Sequence, residues 1–167
     1  MEIINLQKQH NRSDFDSKTP LLDEYIRKQA SQDVRKDLSA CYVLTDNADR
    51  VIAYYTLSGN TIPQEGIPND LLKKLKLPPS YIDLPAVLLG RLAVDQKHKC
   101  KRYGELLLMD ALQRCLILSS QLGTLAVIVD PIDEESKSFY QKYGFLSLKD
   151  SEKMFITMIT IKELFNS

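Results

Sequence analysis

The sequence predicts an α/β fold, a mixed sheet with helices on its faces, built as one domain over residues 1–167. Three observations predict it. The chain has 167 residues, 44% of them hydrophobic, which is enough for one core at the usual ~100–200 residues per domain. Two apolar runs, 87–94 and 125–129, flank a long amphipathic stretch, the spacing of a βαβ unit with a right-handed crossover. Ahead of them, residues 40–58 read as an antiparallel hairpin.

Each element follows from its own residues. Residues 3–6 are a short apolar edge strand. Thr19-Pro20 opens a helix running to about Val34, with proline in its first turn and Leu21, Leu22, Tyr25, Ile26 and Ala30 at helical period. Strands 40–45 and 51–58 flank a polar turn, Asp46-Asn47-Ala48-Asp49. Residues 59–83 then break the rhythm with Pro63, Pro68, Pro78 and Pro79. They leave room for one short helix, 69–75, with Asn69 as its cap. An irregular segment inside a compact domain points to function, and Lys73, Lys74 and Lys76 there read either as a solvated face or as an anion-holding patch.

Strand 87–94 leads into a helix over 104–122, whose apolar face is Leu108, Ala111, Leu112, Cys115, Ser119 and Leu122. Gly123 is its expected stop. Strand 125–129 is of the buried parallel type. A helix over 133–142 ends at Tyr143-Gly144, and strands 145–148 and 154–159 follow. The order is β-α-β-β-insert-β-α-β-α-β-β, with no internal repeat and no domain boundary.

Composition narrows the function. Lys and Arg number 22, as do Asp and Glu, so any polyanionic partner must be held by a local patch. No apolar run approaches the ~20 residues of a membrane span. The N-terminus lacks the basic and apolar segments of a leader peptide, so the expected location is cytoplasmic. Cys41, Cys100 and Cys115 are widely and irregularly spaced, and His10 and His98 form no paired motif, so no metal site is expected. Neither a GxSxG elbow nor a GxxxxGK[ST] loop occurs.

The chemistry concentrates in Asp95-Gln96-Lys97-His98-Lys99-Cys100-Lys101-Arg102-Tyr103-Gly104. A strand-to-helix turn aims free backbone N–H groups and the positive helix end at one spot. Lys97, Lys99, Lys101 and Arg102 add charge there. The stretch reads as a phosphate-binding loop or as a solvated basic loop. Cys100, among cations near a helix start, is a rival nucleophile, but it needs an oriented base and His98 is not obviously placed to serve.

Five strings, RLAVD (Arg91–Asp95), ELLLMDAL (Glu105–Leu112), AVIVD (Ala126–Asp130), SFYQKYGF (Ser138–Phe145) and LDEYIRKQASQD (Leu22–Asp33), together with YYTLS (Tyr54–Ser58), occur in an order that resembles the GNAT acetyltransferases. More narrowly they resemble the branch containing bacterial toxin acetyltransferases, over most of the chain. The resemblance implies a GNAT domain whose central parallel strands splay near Ala93. The pantetheine arm of acetyl-CoA would pair with the backbone at Leu92 and Val94. Its diphosphate would rest on Lys99, Cys100, Lys101, Arg102, Tyr103, Gly104 and Glu105.

Tyr140 would protonate the departing thiolate, with Phe139 and Tyr143 as core or cofactor-wall residues. Asp130 would touch cofactor or substrate, or cap the following helix. The implied activity is acetylation of the α-amine of aminoacyl-tRNA, with Lys73, Lys74 and Lys97 among the cations that hold RNA phosphates. The implied partner is a small DNA-binding antitoxin of ribbon-helix-helix type, and a homodimer is compatible with the branch. Two alternatives stay open, a small-molecule or protein amine as acceptor and a binding module without transferase activity. The loop departs from the family's Gln/Arg-x-x-Gly-x-Gly/Ala by carrying Lys99 at the first position and Arg102 at the first glycine, with Cys100 where many relatives also carry glycine. Arg102 would either obstruct the phosphates or add charge to them.

Overall fold

The computed structural model describes residues 2–166. In chain order the elements are β1 (Ile3–Asn5), α1 (Pro20–Glu24), a π-helical segment (Tyr25–Gln29), α2 (Ala30–Arg35), β2 (Ala40–Thr45), β3 (Val51–Pro63), α3 (Asn69–Leu75), β4 (Asp83–Val94), α4 (Tyr103–Ser119), β5 (Ala126–Val129), α5 (Glu134–Lys142), β6 (Leu146–Ser147), β7 (Met154–Thr157) and α6 (Met158–Asn166). Seven strands form one mixed sheet in the order β1-β2-β3-β4-β5-β7-β6. By packing, the chain groups into two compact units, Met1–Ser58 with Leu89–Gln113, and Gly59–Leu88 with Arg114–Ser167.

In the first unit β1, β2 and β3 are antiparallel, Ile4 opposite Val43 and Val43 opposite Tyr54. The hairpin turn is pinned by Asp46, whose carboxylate accepts from the backbone N–H groups of Ala48 and Arg50 and from the Arg50 side chain. The core gathers Phe15, Tyr25, Ile26, Ala30, Cys41, Val43, Val51, Tyr54 and Ala93. Phe15 meets Tyr54 edge-on at 5.5 Å between ring centroids, and the Tyr54 hydroxyl donates to the Leu22 carbonyl at 2.6 Å. Burial pushes the Cys41 thiol up to about 12, which makes it an inert packing group.

In the second unit β5 and β7 pair antiparallel, Val127 opposite Ile156. The Leu125 N–H donates to the Pro85 carbonyl at 2.9 Å. Ile62, Ile67, Leu84, Ala86, Ala126, Ile128, Leu148 and Phe155 form its core. β5 has four residues where β4 has twelve.

Several expectations need correcting. The helix begun by Thr19-Pro20 does not run unbroken to Val34, because Tyr25–Gln29 widens to a π turn before α2. The second hairpin strand continues to Pro63 rather than ending at 58, and the next strand starts at Asp83 rather than 87. Asn69 is not the cap of α3. Pro68 holds that position, and the Asn69 side chain instead accepts from Lys149 Nζ at 2.6 Å. α4 stops at Ser119, so Leu122 is 63% exposed and Leu107 replaces it on the buried face. Gly123 keeps an ordinary φ and ends nothing; the Ser119 and Ser120 hydroxyls donate to the carbonyls of Leu116 and Ile117 instead. The last strand ends at Thr157, where α6 begins.

Truncating Phe15 to alanine should cost roughly 3–5 kcal/mol, as for other buried aromatic rings. Urea unfolding measures it, and a loss under about 1 kcal/mol would show that the ring is not a keystone of the first unit.

Candidate functional site

Asp95 sets the geometry of the turn between β4 and α4. It is buried at 7% exposure, and one carboxylate oxygen accepts from the Lys97 N–H at 2.9 Å, the other from the Asp16 N–H at 3.1 Å. Its own N–H donates to the Ile52 carbonyl, and its carbonyl accepts from the His98 N–H. Gln96 adds two bonds to Asp16, backbone N–H to carbonyl at 2.8 Å and side-chain amide to carboxylate at 2.7 Å. Asp16 is followed by Ser17, whose N–H and hydroxyl both donate to Asp23 in α1.

Beyond this anchor the backbone is left-handed twice, at Cys100 (φ +68°) and Arg102 (φ +61°). Glycine is the residue that adopts such angles without cost. Arg102 stands where the family pattern carries its first glycine and Cys100 where many relatives also carry one, and both adopt the left-handed angles that glycine favours. Arg102 points outward. Its side chain is 78% exposed and paired with Glu105, Nε and a terminal guanidinium nitrogen reaching one carboxylate oxygen at 3.0 and 2.8 Å. α4 begins at Tyr103, which puts the N–H groups of Gly104 and Glu105 in its first turn, where a helix offers no acceptor of its own.

Not every cation of the loop faces an anion site. Lys99 Nζ donates to the Ser17 carbonyl at 3.0 Å, a tether rather than a free charge. Lys97 borders a cleft of about 580 Å³ shared with Asp14, Asp16, Asp23 and Arg27, so carboxylates compete for its charge. Lys101 is exposed. Leu92, Ala93 and Val94 close β4, with Ala93 buried in the first unit's core. Cys100 is exposed and makes no hydrogen bond to His98; the His98 ring instead packs on Tyr103, its Nδ1 buried without a partner. The Cys–His pair is not assembled.

In the second unit, Tyr140 lies on α5, 7% exposed, among Phe139 (5.3 Å between centroids) and Phe145 (5.1 Å). Phe139 also meets Tyr143 at 5.2 Å. Burial raises the Tyr140 hydroxyl well above its ordinary range, which keeps it protonated at neutral pH, and no described residue bonds to it. The α5 start is capped by Asp133, which accepts from the Ser136 N–H at 2.7 Å in a reciprocal capping box. Asp130 is not the cap; it lies exposed after β5. Gly144, at φ +98°, closes the helix. Lys73 and Lys74 occupy the last turn of α3, both exposed.

Sequence reasoning missed Asp16, Tyr25 and Arg91. The Arg91 guanidinium carbon lies 3.5 Å from the centroid of the Tyr25 ring, and the Tyr25 hydroxyl donates to Asp33 at 2.9 Å. Burial, reinforced by Asp33, pushes the Tyr25 hydroxyl up to about 12 against the pull of Arg91. A lone cation inside an apolar strand was the available signal. Among the described residues, no group of three or more His, Cys, Asp or Glu side chains is placed to hold a metal ion, and no helix is long and apolar enough to cross a membrane.

No family model matches the chain. Individual relatives do. A tRNA-acetylating toxin of Mycobacterium tuberculosis is 32% identical over 131 residues, 78% of this chain and 75% of that protein. A probable toxin TacT of Sinorhizobium fredii is 29% identical over 164 residues, 93% and 89% of the two chains. Among solved structures, AtaT complexed with acetyl-methionyl-tRNAfMet superposes with a TM-score of 0.90 at 25% identity, covering 98% of each chain. AtaTR bound with acetyl-CoA matches at 0.83 and 25%, covering 98% of this chain and 97% of that one. By these likenesses the chain belongs to the toxin–antitoxin acetyltransferase branch of the GNAT-fold proteins.

Proposed function

We propose that this protein transfers the acetyl group of acetyl-CoA to the α-amine of an aminoacyl-tRNA. The observation that carries the reading is the β4–α4 turn, left-handed at Cys100 and Arg102, the positions where relatives of the family carry glycine, which supports a close approach of a diphosphate to its backbone. The relative solved with acetyl-methionyl-tRNAfMet supports the acceptor, and the relative solved with acetyl-CoA supports the donor. The diphosphate takes hydrogen bonds from the first N–H groups of α4 and charge from Lys101 and Arg102. The pantetheine arm pairs with backbone groups at Leu92 and Val94, at the end of β4.

The amine lone pair attacks the acetyl carbonyl carbon, the C–S bond breaks, and the amine's surplus proton passes to water. Tyr140 gives its hydroxyl proton to the departing CoA thiolate and regains one from solvent. Phe139 and Tyr143 wall the donor, and Lys73, Lys74 and Lys97 supply long-range attraction for RNA phosphates. A small antitoxin is the partner in keeping with the family. The outward Arg102–Glu105 pair speaks against an obstructed loop, and so against a mere binding module.

Labelled acetyl-CoA should transfer its acetyl group to aminoacyl-tRNA, and Tyr140→Phe should lower kcat by about 10²-fold or more while leaving the Kd for acetyl-CoA unchanged. Because the Tyr140 hydroxyl is raised, wild-type kcat should show no loss of the acid below about pH 10. Label entering small amines but never RNA would overturn the acceptor, and unchanged turnover in the variant would make Tyr140 a packing residue.

Arg102→Gly keeps the left-handed backbone and removes a cation. Calorimetric titration should therefore show acetyl-CoA bound several-fold more weakly, and tighter binding would mean that the arginine obstructs.

A further inference from the structure

Arg91 is half-buried, and its planar face is occupied by the Tyr25 ring at 3.5 Å. Its edge is not occupied: among the described residues no oxygen accepts any of its five N–H donors, and no carboxylate lies within 4.0 Å. Its nitrogens reach solvent, so the edge of the guanidinium is accessible to a ligand. The side chain is nevertheless held in place, because Tyr25 is itself fixed by its bond to Asp33 and by packing in the Phe15–Tyr54 cluster. Tyr25 also opens the π turn, a widening of the helix that is frequent at functional sites.

Arg91 precedes the stretch Leu92–Val94 proposed for the donor arm. Strand alternation puts Arg91 on the pleat face of Ala93, the face of the aromatic cluster, and Leu92 and Val94 on the other. The preorganised fork therefore lies on the aromatic face of β4, one residue from the strand end proposed for the donor arm. A fixed, planar, bidentate donor fits a phosphodiester better than a single carbonyl oxygen does.

We propose that Arg91, laid flat on Tyr25, reads a phosphodiester near the 3′ end of the acceptor RNA and so selects RNA-borne amines over free ones. This rests on the aminoacyl-tRNA reading above.

The test compares Arg91→Gln and Arg91→Lys with the wild type on three acceptors carrying the same amino acid: aminoacyl-tRNA, an aminoacyl-CCA trinucleotide, and phosphate-free aminoacyl-adenosine. Losing a charged bidentate contact should lower kcat/KM of Arg91→Gln roughly 10- to 100-fold on both phosphate-bearing acceptors, chiefly through KM. The loss should be at least ten times smaller on aminoacyl-adenosine. The lysine variant, a point charge without the fork, should fall between. The slope of log(kcat/KM) for the RNA against log salt should shrink by about 1.

Equal losses on all three acceptors would make Arg91 a structural residue and overturn the assignment, as would no loss on any. A wild type inactive on every aminoacyl acceptor, while acetylating other amines, would sink the acceptor reading and the assignment with it. If Arg91→Gln proved unstable in a thermal melt, the lysine variant's acceptor ratio decides alone.

Discussion

A single buried carboxylate holds the turn on which the rest of the site depends. Asp95 accepts from one N–H on its own side, at Lys97, and from one on the N-terminal segment, at Asp16. Hydrogen bonds to an ionised acceptor are worth about 1.5–3 kcal/mol each, enough to offset two non-glycine residues held left-handed at ~1–2 kcal/mol each. The turn can thus keep its path without the glycines that usually permit it. The same anchoring reaches Asp23 in α1 through Ser17, and Lys99 reinforces it from the far side of the turn.

Charge follows from that path. The loop's cations are divided among a tether (Lys99), an outward ion pair (Arg102 with Glu105) and a cleft shared with carboxylates (Lys97). Under the proposed reading, what meets an anion directly is backbone at the start of α4, with Lys101 and Arg102 adding charge at longer range. A site built on backbone tolerates varied side chains, which explains why so little of it shows as a motif. Tyr140 is the opposite case, a single side chain set by its aromatic surroundings, Phe139 and Phe145, with burial raising its hydroxyl further above neutral pH.

Much of the fold was legible because its signals are local. The βαβ apolar runs, the proline at the start of α1 and the glycine ending α5 each fix an element by short-range sterics. The π turn at Tyr25–Gln29 was hidden, since apolar period alone does not distinguish one extra residue per turn. The first two residues of α6 were read as strand because Met158 and Ile159 continue the apolar run of β7, and the rest of the helix was not anticipated. Asn69 looked like a cap on residue type, yet Pro68 precedes it and Lys149, eighty residues away, claims its side chain. The site was legible as a basic turn, but Asp95's partner Asp16 lies 79 residues away in sequence. Nothing in either string announces the other, and the stacking of Arg91 on Tyr25 was equally out of reach.

Backbone amide shifts of the labelled protein, followed while acetyl-CoA is added, test directly whether the clamped turn receives the donor. The largest perturbations are expected at the N–H groups of residues 101–105, with those of Leu92 and Val94 following. Saturation with acetyl-CoA that leaves the amides of 101–105 unmoved would contradict the account, because the diphosphate would then lie elsewhere.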